Sequence, residues 1–232
     1  MENTTKDRPV QSAERRLFLR YAGVATGAIL IQSCVDKDYM TTPIPGTGVT
    51  TVDLGSGDIG ILNYAYALEQ LEAAFYTQVI ATPYTGMTDT EKTMLTEIRD
   101  HEIIHRDFFK AALGAGAIAG LEVNFSAINF TDRASVLGAA KTFEDLGVAA
   151  YNGAGKLIKD VNYLALAGKI VSVEARHAAA IRSLLSPKTA SFAGDDVVAP
   201  ATGLDPAMAP LAVLTAAQPF VKTTITAANL PK

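Results

Sequence analysis

HEIIH, residues 101–105, can be read in two ways, and the choice decides the fold. Two histidines one helical turn apart, with a glutamate beside the first, spell a zinc protease helix. In that reading both imidazoles grip one ion and Glu102 serves as general base. The other reading keeps only Glu102-Ile-Ile-His105, a pair three residues apart on one helix face, and leaves His101 about 100° off that face as incidental. A zinc protease needs a third ligand. No Gly-x-x-His continuation follows His105, and Glu122 falls in an expected loop. The second reading has a counterpart further along the chain, Glu174-Ala-Arg-His177. We therefore take HEIIH as a Glu-x-x-His pair and keep the zinc metalloprotease as the weaker alternative.

Working outward, both pairs lie within long stretches of helical periodicity. GILNYAYALEQLEAAFYTQVIATP places Leu62, Leu68, Leu71 and Phe75 near one stripe and stops at Pro83. The helix of the first pair opens with Thr88 and Glu91 at capping-box spacing and closes at Gly114. A third helix starts at Thr131 or Asp132, and a fourth runs from an Asp160 cap to Pro187. At 1.5 Å per residue each is about 35 Å long. The links between first and second and between third and fourth are short. The piece between Gly114 and Thr131 is long enough to cross end to end. This pattern predicts an all-α, antiparallel four-helix bundle over residues 58–187 with one long crossover between helices two and three. Residues 188–232 form a C-terminal extension, in which PLAVLTAAQPFV is expected to pack on the bundle as a short amphipathic helix or to serve a dimer contact.

The halves of the bundle echo each other. LEQLEAAFY in the first helix and FEDLGVAAY in the third both place a tyrosine seven residues after a glutamate: Glu69 with Tyr76, and Glu144 with Tyr151. Each half thus supplies one lone Glu and one Glu-x-x-His, the requirement of a di-metal bundle. With ten Glu in 232 residues, a Glu three before a given His arises by chance about 4% of the time, yet two of the three histidines have one. Glu102 and Glu174 each lie 14 residues after their helix caps, so both pairs sit at mid-height. Ile98, Phe109, Ile170 and Ile181 share their faces, which makes these the core side. Four carboxylates there would each cost several kcal/mol unless neutralised. Two divalent cations would neutralise them, and a mixed oxygen and imidazole set suits two iron or two manganese ions.

LNYAYALEQLEAAFY, FEDLGVAAYNGA and VEARHAAAIR resemble the ferritin-like superfamily of carboxylate-bridged di-iron or di-manganese bundles. More narrowly they resemble bacterial and plant members grouped with desiccation-related proteins, over about Ile59 to Leu185. The resemblance implies Glu69, Glu102, His105, Glu144, Glu174 and His177 as metal ligands, with Glu102 and Glu174 bridging. It implies that Tyr76 and Tyr151 hydrogen-bond the carboxylates, where either could supply an electron. Glu72 shares a face with Glu69 but aligns with Gly147 in the repeat. It is a further candidate ligand, a base behind the ligands, or a rim residue paired with a group such as Arg176. Asp100, Asp107 and Asp145 are candidates to orient the histidines or are solvated. Gly138, Gly147, Gly153 and Gly155 are candidates for close helix packing.

The functional expectation is a redox-active site taking oxygen or peroxide as substrate, of ferroxidase or peroxide-removing type. The alternative is a metal-binding or desiccation-protective protein without turnover, and an iron-storage cage is a weaker third. A net charge of −4 with no basic stripe excludes nucleic acid as partner. At the N-terminus, Arg15 and Arg16 followed by Phe18 and Leu19 resemble a Tat export signal. The uncharged run 21–35 is too short to span a bilayer and ends about Cys34, the only cysteine. Residues 1–33 are thus expected as a cleaved signal, Cys34 as a lipidated membrane anchor, and residues 34–57 as a flexible tether. That places the protein in the periplasm or on the membrane as an exported lipoprotein; a homodimer is a candidate assembly, which the sequence does not fix.

Overall fold

The computed structural model describes Gly48 and residues 50–232. The signal, Cys34 and most of the expected tether lie outside the described residues. Four helices carry the fold: α1 (Gly57–Ala81), α2 (Asp89–Leu113), α3 (Arg133–Gly155) and α4 (Val161–Leu185). Their ends follow local chemistry. α1 stops one residue short of Thr82-Pro83, where the residue before a proline is driven out of helical conformation. At the start of α2 the Thr88 side chain accepts from Glu91 N while the Glu91 carboxylate accepts from Thr88 N, the reciprocal capping box. Asp132 accepts from Ser135 N and Asp160 from Asn162 N, capping α3 and α4.

The crossover between α2 and α3 is pinned along its length by α1. At one end of the bundle Asn63 donates to Gly116 O and accepts from Ile118 N, and midway Gln70 accepts from Leu121 N. At the other end Thr85 N donates to Thr131 O. The connection therefore travels the length of α1, so α3 starts where α1 ends and runs antiparallel to it. Asp58, at the start of α1, accepts from Lys159 N and Asp160 N in the α3–α4 turn, which closes the opposite end.

The fold begins before residue 58, the boundary expected from helical periodicity. Thr51–Asp53 form a strand, β1, paired in parallel with β2 (Thr224–Thr226), and Leu54 is fully buried behind it. Val52 and Leu54 point inward with a period of two, a signal that a search for helical spacing does not register. Thr50–Gly57 thus belong to the globular part rather than to a free tether.

The extension returns across the bundle as expected. Its short helix α5 (Pro210–Ala217) buries Val213 and Ala217, and Phe220 packs edge-on against Phe143 with ring centres 4.7 Å apart. Upstream, Met208 N donates to Ala149 O, and its backbone passes so close to Gly153 that a Cβ there would lie 1.9 Å from Met208 O. Only glycine fits at that crossing. Arg182 of α4 fastens the same region, donating in forked pairs to Asp145 of α3 and Asp196 of the extension. A Cβ added at Gly138, by contrast, would meet nothing within 4 Å, so that glycine marks no close approach. Among the described residues, no helix is long and apolar enough to cross a membrane.

Candidate metal centre

Each helix brings its part of the repeat to the centre of the bundle: Glu69 from α1, Glu102 and His105 from α2, Glu144 from α3, Glu174 and His177 from α4. All four glutamates are 0% exposed, and the two histidines are buried. They gather into two groups, Glu69, Glu102, His105 and Glu174 on one side and Glu102, Glu144, Glu174 and His177 on the other. Glu102 and Glu174 belong to both. The helix pairs interlock here, because each imidazole lies nearest the glutamate of the opposite pair. His105 Nδ1 is 2.9 Å from Glu174 Oε1, and His177 Nδ1 is 2.7 Å from Glu102 Oε1.

Polar satisfaction shows what the cluster can hold. Eight of its buried oxygen and nitrogen atoms have no well-formed hydrogen-bond partner, including both oxygens of Glu102 and of Glu174 and the Nδ1 atoms of His105 and His177. Buried polar atoms are almost always paired, so eight orphans converging on one volume fit a bound cation. Electrostatics agree. Burial pushes the Glu102 carboxyl up, with the charge of Glu174 adding to it, and burial does the same at Glu144. Burial pulls the His177 ring down, but the close carboxylates of Glu102, Glu144 and Glu174 outweigh it and hold it up to about 12. His105 is likewise held well above its ordinary value by Glu69, Glu102 and Glu174 against burial. The carboxylates draw positive charge onto the imidazoles, and a metal ion would supply that charge in place of protons.

The two tyrosines are exchanged between halves. Tyr76 of α1 donates to Glu144 Oε1 of α3 at 2.5 Å, and Tyr151 of α3 donates to Glu69 Oε1 of α1. Burial, reinforced by those carboxylates, raises both phenols well above their usual range, so they stay protonated donors at neutral pH. Each bond fixes one carboxylate oxygen and leaves Glu69 Oε2 and Glu144 Oε2 among the orphans.

Three expectations are corrected. Glu72 is not a rim residue paired with Arg176: it is 3% exposed beside the cluster, while exposed Arg176 donates to Ser172. Its carboxyl is pushed well up by burial and then by Glu102, Glu174, Glu144 and Glu69. It belongs to neither of the two four-residue groups. None of the three aspartates orients a histidine: Asp100 pairs with Arg99, Asp107 with Arg106, and Asp145 with Arg182. Nor is His101 incidental. Its Nδ1 lies 2.9 Å from His177 Nε2. The 100° offset turns it off the cluster face but toward α4, against which that flank of α2 packs. HEIIH therefore does not act as one ligand pair, since His105 faces the carboxylates and His101 faces the far edge of His177.

The sequence profile of the ferritin-like domain matches residues 57–187, from the first residue of α1 to the proline after α4. No curated protein matches the chain.

Proposed function

The chain belongs to the ferritin-like domain family, and from that premise we propose that it reacts with oxygen or peroxide at two iron or manganese ions, which Glu69, Glu102, His105, Glu144, Glu174 and His177 would hold, Glu102 and Glu174 serving both groups. The observation that carries this reading is the sharing of Glu102 and Glu174 by two otherwise separate ligand groups whose facing atoms are orphaned. When bound, such ions would exchange electrons with the oxidant and supply its Lewis-acid activation. The protein's own part is to hold the carboxylates in place. Tyr76 and Tyr151 anchor the two terminal glutamates by one oxygen each and leave the other oxygen of each facing the cluster. With every cluster glutamate 0% exposed, the site is shielded from bulk water, which suits a small oxidant.

The test is metal content of the purified protein beside a Glu102→Ala, Glu174→Ala variant, followed by ferrous-oxidation and peroxide-consumption assays. About two ions per chain in the wild type, lost in the variant, with turnover of either substrate, is the expected result. Bound metal without turnover would move the reading to a metal-holding, stress-protective role. A wild type that takes up no iron or manganese under anaerobic reconstitution would refute the metal centre itself.

A further inference from the structure

We propose that His101 orients His177 as a ligand, a positioning role that makes the two metal positions unequal. The inference rests on the reading of the cluster as a metal centre. His177 Nδ1 faces the carboxylates, 2.7 Å from Glu102 Oε1 and 3.5 Å from Glu144 Oε2. For Nδ1 to offer a lone pair to a cation, the neutral ring must carry its proton on Nε2. The atom Nε2 meets is His101 Nδ1, at 2.9 Å. The ring planes differ by only 10° while their centres are 5.2 Å apart. With the nitrogens so much closer than the centres, the imidazoles meet edge to edge, and Nε2–H points along the lone pair of Nδ1. That bond fixes both tautomer and ring rotation of His177, as carboxylates or carbonyls do behind ligand histidines elsewhere.

His101 is suited to this because it stands between the buried centre and the outside. It is exposed, and it lines a surface cleft with His177, Asp89, Glu97 and Ile98. Having accepted through Nδ1, its own ring N–H sits on Nε2, where it can donate to water. The other half of the repeat has no such device at the matching position. Val173, which precedes Glu174 as His101 precedes Glu102, carries no hydrogen-bonding side chain. His177 therefore has an imidazole behind it that the repeat does not provide for His105.

The experiment is anaerobic titration of the full chain with Mn²⁺ alone, followed by calorimetry and by the Mn²⁺ paramagnetic resonance signal. The proteins compared are wild type, His101→Ala, His101→Phe and His101→Gln. The expected result is that Ala and Phe each weaken one of two binding steps by about 10- to 100-fold. At one to two equivalents of Mn²⁺ they show an isolated-ion signal where the wild type shows a coupled pair. Gln, whose side-chain oxygen can accept the Nε2–H, restores the wild-type step. Phe keeps the ring volume, so a loss shared by Ala and Phe but not Gln separates the lost acceptor from lost packing. Two wild-type steps in His101→Ala or His101→Phe would overturn the inference and leave the metal centre standing, as would Gln binding no better than Ala. A wild type that binds no Mn²⁺ would overturn the metal centre, and this inference with it.

Discussion

Gly147 of α3 faces Glu72 of α1 so closely that a Cβ on the glycine would stand 3.2 Å from Glu72 Oε1 and 3.8 Å from Glu174 Oε2. The two positions are equivalents in the internal repeat, so a large acid in one half is accommodated by the absence of a side chain in the other. An alanine in a helix is ordinarily favoured over glycine by about 0.5–1 kcal/mol. Here the gain is opposed by displacement of a buried carboxyl.

The two residues should therefore be coupled. Gly147→Ala is expected to bring no stabilisation in the wild type but about 0.5–1 kcal/mol in a Glu72→Ala background, where the space is free. Denaturant unfolding of the four proteins of the cycle, all freed of metal by chelation, measures this. Additive effects would show that Glu72 does not depend on the gap at Gly147.

Acid should loosen the bundle at the end where α2 and α3 begin. Glu91 accepts from Thr88 N and Thr88 Oγ1, each at 2.9 Å, and from Arg133 Nε at 2.7 Å, while Arg133 also donates to Leu184 O at the end of α4. Burial pushes the Glu91 carboxyl up, but the Thr88 and Arg133 bonds outweigh it and bring it down to about 2 from an ordinary 4.5. A carboxyl whose folded value is depressed contributes stability in full above 4.5 and loses it as pH falls through about 2. The melting temperature of chelated protein should fall across that window. Glu91→Gln should lower the stability at pH 7 by about 1–3 kcal/mol for lost charge-assisted bonds, and flatten the fall of the melting temperature below pH 4.5. An equal acid slope in both proteins would assign the loss to other carboxylates.

Much of this was legible in the sequence, because the signals were local or repeated. Thr88, Asp132 and Asp160 cap the helices whose starts they mark. The Glu-x-x-His pairs meet because i,i+3 spacing and equal height fix both their face and their level. What escaped depends on partners distant in the chain. β1 and β2 are three-residue strands joined across more than 170 positions, with only two inward side chains to betray them. His101 escaped because helix angle alone separates core from surface but does not say which flank meets a neighbouring helix. A third histidine beside a Glu-x-x-His was its only trace. The alignment of Glu72 with Gly147 was visible, but its meaning as space for a buried carboxyl required the α1–α3 approach.

The exchanged tyrosines lead to a prediction about which ion each supports. Tyr76 holds Glu144, which belongs with His177, and Tyr151 holds Glu69, which belongs with His105. Removing one phenolic donor frees the terminal glutamate of one group only, since Glu102 and Glu174 serve both and accept from neither tyrosine. Tyr76→Phe and Tyr151→Phe should each weaken metal binding by about 10- to 100-fold, but in different steps. Combined with His101→Ala, Tyr76→Phe acts on the same ion and Tyr151→Phe on the other. The first double variant should still bind one ion with wild-type strength, whereas the second should bind both weakly. Stepwise Mn²⁺ affinities from calorimetry decide it. Should both tyrosines weaken the same step, the cluster would have to be divided between its two ions along a line other than the one that separates His105 from His177.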